Sequence, residues 1–199
     1  DIFNEPEAAP IISNVEIWDT AVGIAILGEH DRAMKVDKVR IRKTRRQGLL
    51  VGKPVGHAQR QTEDKNSGAA DNKFVMVEVS DANLGGGYHG AIEVYGAQCK
   101  FVACTAWFAV RNKPDSDLYH QSNQYLRKSG AGWAVFGERN MFIGCTAQEN
   151  GGHGWIVGFK DNQFMNCLGE SSSYENNITL SGAAQADQAA NWYISRNAS

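Results

Sequence analysis

The sequence predicts an all-β solenoid, in which short strands coil into stacked rungs. Two recurring patterns and one shared period predict it. A Gly-bounded strand recurs six times: Gly23-IAIL-Gly28, Gly48-LLV-Gly52, Gly90-AIEVY-Gly96, Gly132-WAVF-Gly137, Gly154-WIV-Gly158 and Asn177-ITLS-Gly182, the last with Asn in the first Gly position. Phe-x-x-Cys recurs three times, from Phe101 to Cys104, Phe142 to Cys145 and Phe164 to Cys167. Gly132 to Gly154 and Phe142 to Phe164 are each 22 residues, so two independent markers share one period.

Each Gly-bounded segment is too short for a helix. β-branched and aromatic residues between turn formers read as a strand. The two residues inside Phe-x-x-Cys read as a bend. It ends in Ala103, Gly144 and Asn166, and the last two suit a left-handed backbone. Earlier segments, Lys38-VRI and Asn72-KFVMV, fit more loosely, and Asn191-WYIS-Arg196 resembles Asn140-MFIG-Cys145. Wider spacings separate into a base period plus loops. Gly158 to Phe164 is 6 residues but Gly52 to Phe74 is 22; Cys145 to Gly154 is 9 but Cys104 to Gly132 is 28. The excess falls in two polar stretches, 53–72 and 111–129, each with one proline. These read as loops inserted in one domain spanning 1–199, with about six to seven coils of about 22 residues. One coil cannot bury its inward face alone. Stacking buries a continuous core and sets like residue on like, Phe on Phe and Cys on Cys.

Composition bounds the function. The chain has 199 residues, 42% hydrophobic and 21% charged, which excludes a disordered chain. A net charge of -2 favours neither nucleic acid nor a membrane surface. No apolar run reaches the roughly 18–20 residues that span a bilayer. With 21 Gly and 15 Asn, both tolerant of positive φ, the chain makes many tight bends. Asp1 in place of Met, without a basic-then-apolar leader, marks a processed product or a piece of something longer. Cys104, Cys145 and Cys167 should point inward as free thiols, which suits folding in a reducing compartment, whereas Cys99 lies in a turn and is expected to be more exposed. No Cys-x-x-Cys pair exists, so no metal site is expected.

The segment Asn140-MFIGCTAQENGGHGWIVGFKDNQFMN-Cys167, with the five other Gly-bounded strands, resembles the right-handed parallel β-helix of the pectate-lyase-like superfamily. The resemblance covers about residues 14–196. It implies a scaffold shared by pectate lyases, polygalacturonases, other polysaccharide lyases and bacteriophage tailspikes, most of which bind or cut acidic or capsular polysaccharide along one side. The free thiols fit a phage tail protein assembled in a reducing cytoplasm and displayed on the virion surface or outside the cell. Such proteins are homotrimers that need no cofactor and do not insert into membranes.

Gly152-His153-Gly154 is similar to the Gly-His-Gly of polygalacturonase-type hydrolases, whose His positions the catalytic carboxylates. The Asp-Asp pair of that family has no counterpart one coil earlier, and Phe159-Lys160-Asp161 stands where its Arg-x-Lys would. Hydrolysis requires two carboxyl groups facing one cleft, about 5–9 Å apart. Glu78 and Glu93 head the candidates. Glu93 lies between Ile92 and Val94 and should therefore point outward. A lyase instead takes a proton beside a uronate carboxylate and neutralises that carboxylate with cations. Residues 35–46, KVDKVRIRKTRR, hold seven of the twenty basic residues. Alternation sets Lys38, Arg40 and Arg42 on one face, to pair with acids on the next rung or to attract an acidic glycan, and Arg45 extends the run. Nucleic acid is the weaker partner for this run, because aromatics do not interleave with it. Tyr88, His89, Trp107 and Tyr119 supply ring faces for sugars. The first reading is a polysaccharide-recognising and polysaccharide-degrading β-helix. The other is a structural stalk or adhesion segment without an active site.

Overall fold

The computed structural model of the protein describes residues 10–27, 33–53, 69–110, 129–158, 160–170 and 192–194. Among these the chain is all-β and contains no helix. Fifteen strands form two curled sheets, and every pair is parallel. The arrangement is compatible with a β-helix or solenoid.

The six-stranded sheet collects the Gly-bounded strands: β2 (Ile24–Ile26), β4 (Leu49–Val51), β6 (Ile92–Val94), β9 (Trp133–Val135), β12 (Trp155–Val157) and β15 (Trp192–Ile194). Each pairs with the next in that order, residue on residue. Asn191-WYIS therefore belongs with this set, with Trp192 against Trp155, and not with Asn140-MFIG. Its Trp decides the register, because an indole stacks best on an indole. Segment 177–182 lies outside the described residues, as do 54–68 and 111–128 of the two expected loops. The ends of those loops are core: Ala69, Ala70 and Ser129 are buried, and Ala70 bridges Ala97.

The nine-stranded sheet starts from three eight-residue strands, β1 (Ile11–Trp18), β3 (Lys35–Arg42) and β5 (Lys73–Ser80). Beyond β5 it divides at the Phe-x-x-Cys bend. On one side run β7 (Lys100–Val102), β10 (Met141–Ile143) and β13 (Gln163–Met165); on the other run β8 (Thr105–Trp107), β11 (Thr146–Gln148) and β14 (Leu168–Glu170). The bend residues Ala103, Gly144 and Asn166 have φ 50°, 59° and 51°. Asn14, Lys38 and Met76 occupy the same register position with φ 55°, 53° and 51°. The long strands thus carry the same left-handed kink, and this breaks simple alternation at Lys38: Arg40 and Arg42 share the outward face, whereas Lys38 sits on the kink.

The core lies between the sheets. Phe74, Phe101, Phe142 and Phe164 stack with centroids 4.6, 4.9 and 4.8 Å apart. Trp133, Trp155 and Trp192 form a second stack at 4.8 and 4.9 Å, edge-on to the first. Cys104, Cys145 and Cys167 lie in one column as free thiols. Cys99 is also buried, contrary to the expectation from its turn, because Asn72 and Asn140 close over that corner: Asn140 Oδ1 accepts from the Cys99 N–H. Most bounding glycines serve close approach and not positive φ. A Cβ on Gly137 would strike the carbonyl oxygen of Gly96.

Candidate functional site

Alternation places two outward columns side by side on the nine-stranded sheet. One runs Glu16, Arg40, Glu78, Thr105, Thr146, Leu168; the other runs Trp18, Arg42, Ser80, Trp107, Gln148, Glu170. Val39, Ile41, Val77 and Val79 fill the intervening inward positions and fix the backbone beneath. Glu78 receives Arg40 Nε on one oxygen at 3.3 Å and Arg42 Nη2 on the other at 3.2 Å. Arg42 Nε also faces Glu16 at 4.0 Å, and Arg42 and Lys43 both lie 5.6 Å from the Trp18 ring centre. A depression of about 410 Å³ lies along this face, lined by Asn14, Glu16, Lys38, Arg40, Met76 and Glu78. Ion pairs this exposed contribute at most about 1 kcal/mol each. Their consequence is order: two guanidinium groups and an indole are held in one orientation toward solvent. Glu78 accepts on both oxygens, so Arg40 and Arg42 hold its carboxylate in place.

Glu93 sits elsewhere, on the outer side of the six-stranded sheet. Its side chain does point away from Ile92 and Val94, yet it is fully buried. That outer side carries its own apolar cluster of Leu50, Tyr95, Ala131, Ala134, Phe136 and Ile156, so outward does not mean exposed there. The Gly90 N–H donates to Glu93 Oε1 at 3.0 Å and the Tyr95 hydroxyl donates to Oε2 at 2.8 Å. His89 Nδ1 lies 3.6 Å from Oε1, and Arg46 Nε donates to His89 Nε2 at 3.3 Å.

The sequence candidates therefore divide. Glu78 and Trp107 share the outward face of the nine-stranded sheet; Glu93 and His89 touch each other on the other sheet. Tyr88 is half-buried beside His89, and Arg45 is exposed with its carbonyl pressed against Gly85. His153 is 3% exposed, so a cleft-facing role does not fit it as it stands. It lies in the tight turn before Trp155, where the Gly132 N–H donates to its carbonyl. Tyr119 lies outside the described residues. Sequence reasoning missed Glu16 and Trp18. Alternation along Val15-Glu16-Ile17-Trp18 was a usable signal, but the segment lacks the Gly and Phe-x-x-Cys markers. Among the described residues no three His, Cys, Asp or Glu side chains gather as metal ligands. No protein-family model matches the chain, and neither curated proteins nor solved structures match it.

Proposed function

We propose that the chain is a right-handed parallel β-helix of about six coils, of the pectate-lyase-like and tailspike type, which recognises an acidic polysaccharide on the outward face of its nine-stranded sheet. The observation that carries this reading is the column of Trp18, Arg42, Trp107 and Gln148, with Ser80 buried between Arg42 and Trp107, beside Arg40 and Glu78. Indole faces pack on sugar rings, and guanidinium forks suit carboxylates. Trp18 and Trp107 are three strand steps apart, about 14 Å, so an extended glycan lying along the stack reaches both. Glu16 and Glu78 are two steps apart, about 10 Å, with Arg40 between them. That spacing supports binding better than it supports paired acid and base chemistry. The native form is proposed to be a homotrimer on a virion surface. Exposed apolar side chains on outer strands, Ile11 on β1 and Met165, Leu168 and Ile194 on β13–β15, support burial against further protein.

A glycan array with the wild-type chain and an Arg40→Ala/Arg42→Ala double variant tests the reading. The expected result is retention of uronate-containing glycans and about a tenfold or greater loss of affinity in the variant. Equal affinity of the two proteins would overturn the placement. Chromatography of bound glycans after incubation separates recognition from cleavage, and an unsaturated uronate among the products would identify a lyase.

A further inference from the structure

The cluster around Glu93 lies on the six-stranded sheet, apart from the proposed glycan face. Arg46 and His89 precede the register partners Leu49 and Ile92 by three residues each, so they are neighbours along the stack. The Arg46 backbone is tied down: its N–H donates to Ala21 O, and its carbonyl accepts from the Asn83 N–H and the Thr44 hydroxyl. Only its side chain is free to move. Gly87 lies flat against the His89 ring, where a Cβ would come within 2.6 Å of Cδ2 and 3.0 Å of Nε2.

A guanidinium has no acceptor, so the ring nitrogen that meets Arg46 must carry a lone pair. The neutral ring therefore bears its proton on Nδ1, toward Glu93. The Gln47 amide lies 3.0 Å from Nδ1. Its oxygen is otherwise a buried acceptor without a partner, and turned toward the ring it receives the Nδ1–H. The charged and titratable groups around the ring are Glu93 on β6, Arg46 and its neighbour Arg45 on the segment before β4, Tyr88 next in the chain, and Tyr95 through its bond to Glu93.

We propose that His89 is a proton-operated latch: the neutral ring holds Arg46 on Nε2, and protonation turns the ring to Glu93 and releases the Arg46 side chain. The proton that arrives on Nε2 replaces the lone pair that Arg46 used. A donor then faces a donor, and a cation faces a cation. The imidazolium gains the buried carboxylate, which keeps its bonds from Gly90 and Tyr95.

Nitrogen NMR of the full chain tests this by following the His89 ring and the Arg46 Nε–H through a pH titration. The expected neutral form is the Nδ1–H tautomer. The Arg46 Nε–H should be protected from exchange at high pH and lose protection with the same midpoint as His89. Arg46→Gln should move that midpoint up, and Glu93→Gln down, each by about 1 unit. His89→Phe should leave Arg46 unprotected at every pH while the dispersed spectrum persists. A neutral Nε2–H tautomer, or an Arg46 signal unchanged across the His89 titration, would overturn the latch.

Discussion

Met76 holds φ 51° with its side chain 54% exposed, in register with Gly144 and Asn166. A left-handed backbone costs an ordinary L-residue about 1–2 kcal/mol, and Asn relieves part of that. Met76→Asn should therefore raise stability by about 0.5–1 kcal/mol, read as a higher denaturant midpoint. Asn140 works differently. It is buried, accepts from the Cys99 N–H at 2.9 Å and donates to Gly96 O at 3.0 Å. Asn140→Ala strands both backbone groups and should cost about 2–4 kcal/mol in denaturant unfolding. The asparagines thus divide between kinks, as at Asn166, and side-chain bridges, buried at Asn140 and half-buried at Asn162. Burial pushes the Cys99 thiol up from 9.0 to about 11, mainly through desolvation. Below pH 9.0 the thiol is neutral in both folded and unfolded chains, so its contribution is fully present. As pH rises from 9.0 to about 11 only the unfolded thiol ionises, and stability falls. Cys99→Ala should remove that share of the alkaline decline. Iodoacetamide at mildly alkaline pH should label Cys99 far more slowly in the native chain than in urea.

Strands of three residues are too short to hold themselves, and the stacks across them supply the cohesion. Phe142 packs between Phe101 at 4.9 Å and Phe164 at 4.8 Å, with Trp133 and Trp155 edge-on at 5.6 and 5.8 Å. The Trp133 and Trp155 indole N–H groups donate to Thr146 O and Leu168 O, which ties the two sheets together. Phe142→Ala removes a ring from the middle of the Phe stack, together with its edge contacts to the Trp stack, and should cost about 3–5 kcal/mol. Phe142→Leu should recover part of it, since the cavity is smaller. Calorimetry or urea titration of both variants checks the order. Equal, small losses would mean that the stack is not what holds β10 in place.

Across the whole molecule, burial rises from the outer strands inward. Among the described residues Ile12 on β1 is half-buried and Ile194 on β15 is 65% exposed, while their register counterparts Phe74 and Phe101, and Val135, are fully buried. Outer strands of a parallel sheet also present unpaired backbone groups. Sedimentation of the 199-residue chain across concentrations should therefore show self-association. A compact monomer with no concentration dependence would refute the proposed trimer.

Gly-bounded strands and Phe-x-x-Cys bends were legible because stacking makes each step repeat its neighbour's residue types. Five Gly-bounded segments became β2, β4, β6, β9 and β12, and the three bends became three left-handed kinks. Local pattern also yielded Arg40 and Arg42 on one face, since period-2 alternation is a property of the backbone itself, whereas Lys38, expected beside them, sits on the kink and Glu78 joins them only through the pairing of β3 with β5. The rest needed the tertiary structure. Alternation turned Glu93 away from the core, but only packing on the outer side of β6 decided that this side is buried. Arg46 and His89 lie 43 residues apart, and no motif joins them. Their contact exists because Leu49 and Ile92 are register partners. Pairing between distant strands, and not sequence neighbourhood, determines which side chains meet.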